Sequence, residues 1–220
     1  MELYFEVNNT DGDIGFHGLI DGEGWTHLEV DNPLGREIMD LKLDGGLKAQ
    51  TLTELFFESS EPTFDVLDPV AFFQRFIEGE YEVEAETSDG PDLSSTATVT
   101  HLLPAPVSNV TVNGLQLPED TDNCLSREAM LPFTISWDPV TLSHPVLGRT
   151  GEPVEVENYE VVMEGEGDNE FTITHLLPAD VNSIPISEIP ADSGDLIKLE
   201  VLVSEESGNQ VAVESCFTLR

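Results

Sequence analysis

Oxygen ligands crowd the first turns of the chain. Asn9, Asp11 and Asp13 stand in "NNTDGDIG", and Asp21 and Glu23 in "DGEG". If those turns meet at one end of a sheet, their side chains could converge on calcium, a hard cation that prefers oxygen. The spacing is not that of an EF-hand, because Val7 would fall at the first ligand position and Gly18 at the last. Asp, Asn and Gly are also ordinary turn residues, so plain turns explain the same letters. A second acidic loop, Glu119, Asp120, Asp122 and Asn123 in "PEDTDN", precedes Cys124. The run 164–170, "EGEGDNE", reads as a solvated hairpin tip.

Catalytic patterns are absent from the sequence. It holds no G-x-S-x-G elbow, no H-E-x-x-H, no Gly-rich phosphate loop and no C-x-x-C. The five histidines are His17, His27, His101, His144 and His175, and none has metal-ligand spacing with another. His17 and His27 could face each other across a hairpin, in a structural pair or a metal pair. Cys124 with a distant His could make a nucleophile. Cys124 and Cys216 could instead be two buried thiols, or one disulfide closing a long loop and marking an oxidising compartment. Two carboxylates in a cleft could hydrolyse a glycoside, but with 44 acids some pair qualifies by chance. The long loop of His144 and Arg149 is the best ligand-binding candidate, since recognition residues sit on loops of rigid sandwiches. Arg149 could meet a carboxylate ligand or pair with an acid of the chain itself. Tyr4 and Trp25 could stack on sugars, or Trp25 could be core.

Charge sets the outer bounds. There are 44 acidic residues against 8 basic ones, a formal net of -36. Phosphate backbones and anionic membranes would be repelled, which argues against nucleic acid and membrane partners. The acids are spread along the chain rather than gathered in a tail. They could form a hydrated shell suited to high salt, bind calcium, or keep a secreted protein apart from its neighbours. The N-terminus reads as a strand and a turn, without basic and apolar signal regions. An extracytoplasmic protein would therefore have lost its signal, and a cytoplasmic protein of a halophile is the alternative.

The elements that must position these residues are strands. Alternation over five to eight residues recurs, as in Leu3, Phe5 and Val7, or Ile14, Phe16, Gly18 and Ile20. Asp21-Gly22 and Asp44-Gly45 are two-residue hairpin signals, because both positions tolerate positive φ. One segment breaks the pattern. Asp68 can cap a helix with Pro69 at its first position, and Val70, Phe73, Phe76 and Ile77 would share a face. A short helix over 69–77 packed on a sheet is expected, stopped by Gly79. Pro104 and Pro106 form a stiff hinge. The expected domains are 1–103, a β-sandwich with that helix, and 104–220, a second sandwich with strands near 107–113, 132–137, 156–164, 170–176, 182–187, 196–204 and 210–218.

The second half resembles a fibronectin type III domain. It carries Trp137 followed by Pro139, then Tyr159 before Val161 and Met163, then Ile189, Pro190 and Gly194 leading into Ile197, Leu199, Val201 and Val203. The family's corner tyrosine is replaced by Ile197, and the loop from Asp138 to Val156 is long. The first half, through "FIEGEYEVEAETSDG", is similar to an immunoglobulin-like sandwich, with Tyr81 at the corner. The whole chain resembles a group of bacterial exported proteins. The resemblance implies an all-β fold, two β-sandwich domains, and is nearly silent on activity. Two sandwich-like halves, the acidic charge, a possible disulfide and the missing catalytic patterns together suggest a non-catalytic, extracytoplasmic binding or surface-interaction protein, with a monomer favoured and calcium as a possible stabiliser. Its partner would be a protein or polysaccharide. The alternative is a hydrolase, or an accessory to polymer degradation, with a loop-lined acidic cleft.

A near-repeat tests the domain plan. "TVTHLLPA" (98–105) returns as "TITHLLPA" (172–179), each after a "YEV" stretch and a turn. The two "YEV" stretches lie further apart than the two "THLLPA" stretches. The first hairpin would close its domain and the second would sit mid-domain. Shared strand-exit chemistry explains this better than domain duplication: Thr for strands, Leu for the core, Pro to end pairing.

Overall fold

The computed structural model describes residues 1–88, 90–118, 127–166 and 170–220. The chain divides into two compact units. The first comprises Met1–Glu6 and Ile14–His101, and the second Val7–Asp13 and Leu102–Arg220.

The first unit is organised by one long strand. Its elements are β1 (Glu2–Asn8, ending in the second unit), β2 (Asp13–Asp31), β3 (Glu37–Lys42), helix α1 (Gly45–Gln50), β4 (Leu52–Glu58), helix α2 (Pro69–Arg75), β5 (Gly79–Thr87) and β6 (Leu93–Val99). β2 continues unbroken through "DGEG", so the expected Asp21-Gly22 hairpin is absent. The pairing register shifts between Asp21 and Trp25 instead. A straight strand from Phe16 to Asp31 would span ~50 Å. Yet Phe16 lies 6.1 Å from Tyr81, whose neighbour Glu82 pairs with Asp31. β2 therefore bends, and its two halves belong to facing layers, the way corners form when a strand passes from one layer to the other. At the register shift Gly24 lets Thr51 pack close, since a Cβ there would stand 2.3 Å from Thr51 Oγ1. Asp44-Gly45 is not a hairpin either. Asp44 opens α1, a connector between β3 and β4, which both pair with β2. His17 and His27 thus lie on one strand rather than across a turn.

Between the layers sits an aromatic core. Phe16 stacks on Phe76 at 4.4 Å and approaches Phe5, Phe57 and Tyr81. Helix α2 supplies Phe72 and Phe73 from its buried face, while Val70 points outward, contrary to the expected face. Asp68 caps α2 by accepting from Val70 N at 2.9 Å. Tyr81 donates its hydroxyl to Ile77 O at 3.1 Å, the corner bond expected of it. Burial pushes the Tyr81 phenol up to about 12. Trp25 is core, so it offers no sugar-stacking face.

The second unit is a sandwich of two sheets. One holds β13 (Ser183–Ile186), β10 (Phe133–Asp138), β7 (Ser108–Val112) and β8 (Leu115–Gln116) in that spatial order. The other holds β12 (Phe171–Pro178), β11 (Val156–Glu166), β14 (Leu196–Glu205) and β15 (Gln210–Leu219), with β9 (Glu128–Ala129) parallel to β15. This three-plus-four pattern of antiparallel strands with short edge additions is a fibronectin type III-like sandwich, as the sequence resemblance implies. Trp137 packs its ring 5.4 Å from that of Tyr159, and Ile197 is wholly buried. The repeated segments separate here: the first copy leaves its strand at Val99, while the second stays paired as far as Pro178.

Candidate functional site

Two places gather exposed or polar side chains. The first is the loop 139–155 of the second unit. It is long yet built like a small hairpin, with Leu142 bridging Pro153 and Ser143 N donating to Glu152 O at 2.8 Å. Ser143 Oγ returns the bond by accepting from Glu152 N. The loop is tied to the hinge through His144 N to Leu103 O and Ala105 N to Leu142 O.

His144 fixes the tip of this loop. It is 2% exposed. Its Nδ1 accepts from Leu147 N at 3.0 Å and from Val146 N at 3.3 Å. Two donors on Nδ1 require the proton to sit on Nε2, which therefore donates to Asn9 Oδ1 at 3.2 Å. Burial lowers the His144 pKa to about 4, so the ring is neutral at physiological pH. His144 is thus a fastener and not a free ligand-binding group. Arg149 forms a two-pronged pair with Glu152, Nε to Oε1 at 3.1 Å and Nη2 to Oε2. Above these anchors Val146 is 77% exposed and Leu142 51%.

Where β14 turns toward β15, the same unit buries a carboxyl. Glu205 is 2% exposed and accepts from Ser207 Oγ. Burial raises its pKa and outweighs the hydrogen bonds from Ser207 and Asn209 that lower it, with Glu206 adding to the rise. The folded state therefore binds this proton more tightly than the unfolded chain does. At neutral pH the charged form works against folding, and the penalty disappears as pH falls through the raised pKa. Glu205→Gln keeps the shape and removes the charge. It should raise the melting temperature at pH 7. The gain should fade in acid; scanning calorimetry at pH 7 and pH 4 checks it, and a lowered melting point at pH 7 refutes it.

The second place is the outer face of β2, β3 and β5. Leu28 and Val30 turn into the core, so His27 and Glu29 turn out. On β3, Met39 and Leu41 pair with Val30 and Leu28, which leaves Asp40 and Lys42 on the outer face. On β5, Glu84 and Glu86 stand opposite Glu29 and His27. His27 Nε2 lies 2.9 Å from Asp40 Oδ1 and 3.2 Å from Glu29 Oε1, and Nδ1 lies 3.4 Å from Glu86 Oε1. Lys42 Nζ holds Asp40 Oδ2 at 2.9 Å. Beside them opens a pocket of about 260 Å³ that also reaches Asp92 and Ser94. Sequence spacing missed this grouping because its acids come from three strands. The available sign was local: His27-x-Glu29 and Asp40-x-Lys42, each alternating with apolar residues.

The residues first singled out fall in several places. Asn9, Asp11 and Asp13 belong to the second unit, Asp21 and Glu23 to the first. Asn9 Oδ1 is engaged by His144, and Asn8 Oδ1 closes the turn by accepting from Thr10 N and Asp11 N. Asp21 and Glu23 are exposed at the bend of β2. His17 is buried, 3.1 Å from Glu61 Oε1, with Tyr4 stacked on it. His101 Nε2 lies 2.8 Å from Phe76 O. Cys216 is buried on β15. Cys124 and the Glu119–Asn123 loop lie outside the described residues, as does the tip 167–169.

No family model matches the sequence, and no curated protein matches it. Among solved structures, the chain is similar to the FN1–FN3 domains of chicken CNTN1, at 11% identity and TM-score 0.38, covering 99% of this chain and 63% of that one. A two-domain fibronectin type III segment of chicken tenascin gives 10% identity and TM-score 0.33, covering 99% and 97%. A tetra-tandem repeat from the extending region of a large adhesion protein gives 12% identity and TM-score 0.30, covering 99% of this chain and 49% of that one. At such low TM-scores, the fibronectin type III-like fold rests on the strand order described above, not on these likenesses.

Proposed function

We propose that this chain is a non-catalytic, extracytoplasmic recognition protein that grips a protein or polysaccharide through the 139–155 loop. One observation carries the reading: Val146 and Leu142 are exposed on a loop whose Ser143 and His144 are buried. A flexible loop would lose ordering entropy on binding, whereas a pre-fixed one loses little. Exposed apolar side chains on a loop tied down by its own hydrogen bonds can be buried by a partner at little ordering cost. The charge of -36 directs the choice of partner toward neutral or basic surfaces.

The extracytoplasmic clause is supported by the cysteines. No cysteine among the described residues is free, and the chain has only Cys124 and Cys216. We infer that they pair. Thiol titration of the denatured chain should find no reactive sulfhydryl before reduction and both after it. Among the described residues no helix is long and apolar enough to cross a membrane.

The binding test uses arrays of immobilised cell-surface glycans and extracellular proteins. The double variant Leu142→Asp with Val146→Asp should lose at least about tenfold in affinity for any partner found, with an unchanged melt, since tenfold is ~1.4 kcal/mol and burying one such side chain is worth about that much. Undiminished binding by that variant would remove the loop from the reading. Turnover in a glycoside and ester screen would overturn the non-catalytic assignment.

A further inference from the structure

We propose that His27, Glu29 and Asp40 form a site for a divalent transition ion such as zinc, with Glu86 orienting the histidine. This site belongs to the first unit and is independent of the loop 139–155. Among the described residues these three are the one group of histidine, cysteine or carboxylate side chains whose ligand atoms all lie within 4.8 Å of one another.

The distances suit a shared ion. Zinc holds nitrogen and carboxylate ligands at about 2.0–2.2 Å, which at tetrahedral angles places neighbouring ligand atoms ~3.3–3.6 Å apart, so the present cluster need open only by a few tenths of an ångström. Nε2 of His27 already stands 2.9 Å from Asp40 Oδ1 and 3.2 Å from Glu29 Oε1. The strands fix this geometry. His27 and Glu29 are alternate residues of β2, and Asp40 is the direct partner of Glu29 across the β2–β3 ladder. Neither backbone nor register need move to close the set.

The surrounding groups support the same assignment. Glu86 lies 3.4 Å from Nδ1, the nitrogen not used for binding. A carboxylate there fixes the tautomer that presents the Nε2 lone pair and makes it a better donor. Lys42 occupies Asp40 Oδ2 and leaves Oδ1 to the ion. The ligand set of one imidazole and two carboxylates selects a borderline metal over calcium, which prefers oxygen alone. The adjoining pocket leaves room for water to complete the shell.

The test is calorimetric titration of the chelator-stripped full chain with zinc chloride, in excess calcium chloride to occupy ordinary carboxylates. One zinc should bind per chain. His27→Gln should weaken it at least about 100-fold, and Glu86→Gln about tenfold, as loss of an orienting carboxylate does. Asp40→Asn, at a half-exposed position, decides the case if His27→Gln fails to fold. Cobalt in place of zinc should give a visible absorption band that is lost in the His27 and Asp40 variants. Zinc affinity unchanged in both variants, or abolished by calcium in the parent chain, overturns the assignment.

Discussion

Replacing Phe16 with alanine should cost the first unit about 3–5 kcal/mol, the largest single effect expected in the molecule. The ring is nearly inaccessible, and it touches aromatic side chains from β1, β4, β5 and the end of α2. No neighbour can collapse into the gap without breaking its own contacts, so both the lost burial and the cavity count. The readout is clean because each unit holds one tryptophan, Trp25 in the first and Trp137 in the second. In a Trp137→Phe background, urea unfolding followed by fluorescence should shift to much lower denaturant. In a Trp25→Phe background the shift should be far smaller. Phe16→Leu should recover about half the loss. A cost below ~1 kcal/mol for the alanine variant would mean that the bend of β2 does not depend on this cluster.

The second large effect is a pH dependence centred on His144. Its folded pKa is lowered to about 4, from 6.5 for a free imidazole. Burial is the main cause. Protonating Nδ1 would also turn an acceptor of two backbone N–H bonds into a third donor. Between those two values the unfolded chain binds a proton that the folded chain refuses, so stability rises with pH there. The contribution is complete above pH 6.5 and is lost as pH falls toward 4, amounting to about 3 kcal/mol. His144→Asn places an amide oxygen where Nδ1 was and keeps the acceptor. It should be less stable than the parent at pH 7 by about 1–2 kcal/mol, through the lost bond to Asn9. It should also be much flatter between pH 6.5 and 4. Urea midpoints at pH 7, 5.5 and 4.5 for both proteins measure the difference. Parallel curves would show that His144 titrates normally.

How far such effects could be read from sequence differs between the halves. In the second, strands such as 196–204 and 210–218 alternate so regularly that β14 and β15 fall within a residue of expectation. Trp137 and Tyr159, two of the residues that carry the family resemblance, pack together in that sandwich. In the first, the local signals were real but answered a different demand. Asp-Gly at 21–22 permits a tight turn, but here it stays in a continuous strand that brings Phe16 near Tyr81 in the core. Asp44-Gly45 became a helical connector because β3 and β4 pair with different stretches of β2 rather than with each other. Helix α2 was visible from its cap and proline. Its buried face was not, since adjacent Phe72 and Phe73 both reach inward.

The sites were less legible, and for a single reason. Function-bearing neighbours here come from residues remote in sequence. His144 stands in a stretch that looks like a polar loop, and its need for neutrality arises only when Asn9 and two backbone amides surround it. His27 reads as a lone histidine until β3 and β5 bring Asp40 and Glu86 to either side.

The assignment of Val7–Asp13 to the second unit has a practical corollary. Asn9 N bonds Ala212 O, Thr10 Oγ1 accepts from Glu214 N, and Asn8 Nδ2 reaches the Glu214 carboxylate. A gene fragment cut at the proline hinge would strip these from β15 and leave the imidazole of His144 without its amide partner. The C-terminal half is therefore not a portable cassette. Grafting or shuffling it demands that the peptide from the far end of the chain travel with it, through circular permutation or a covalent tether.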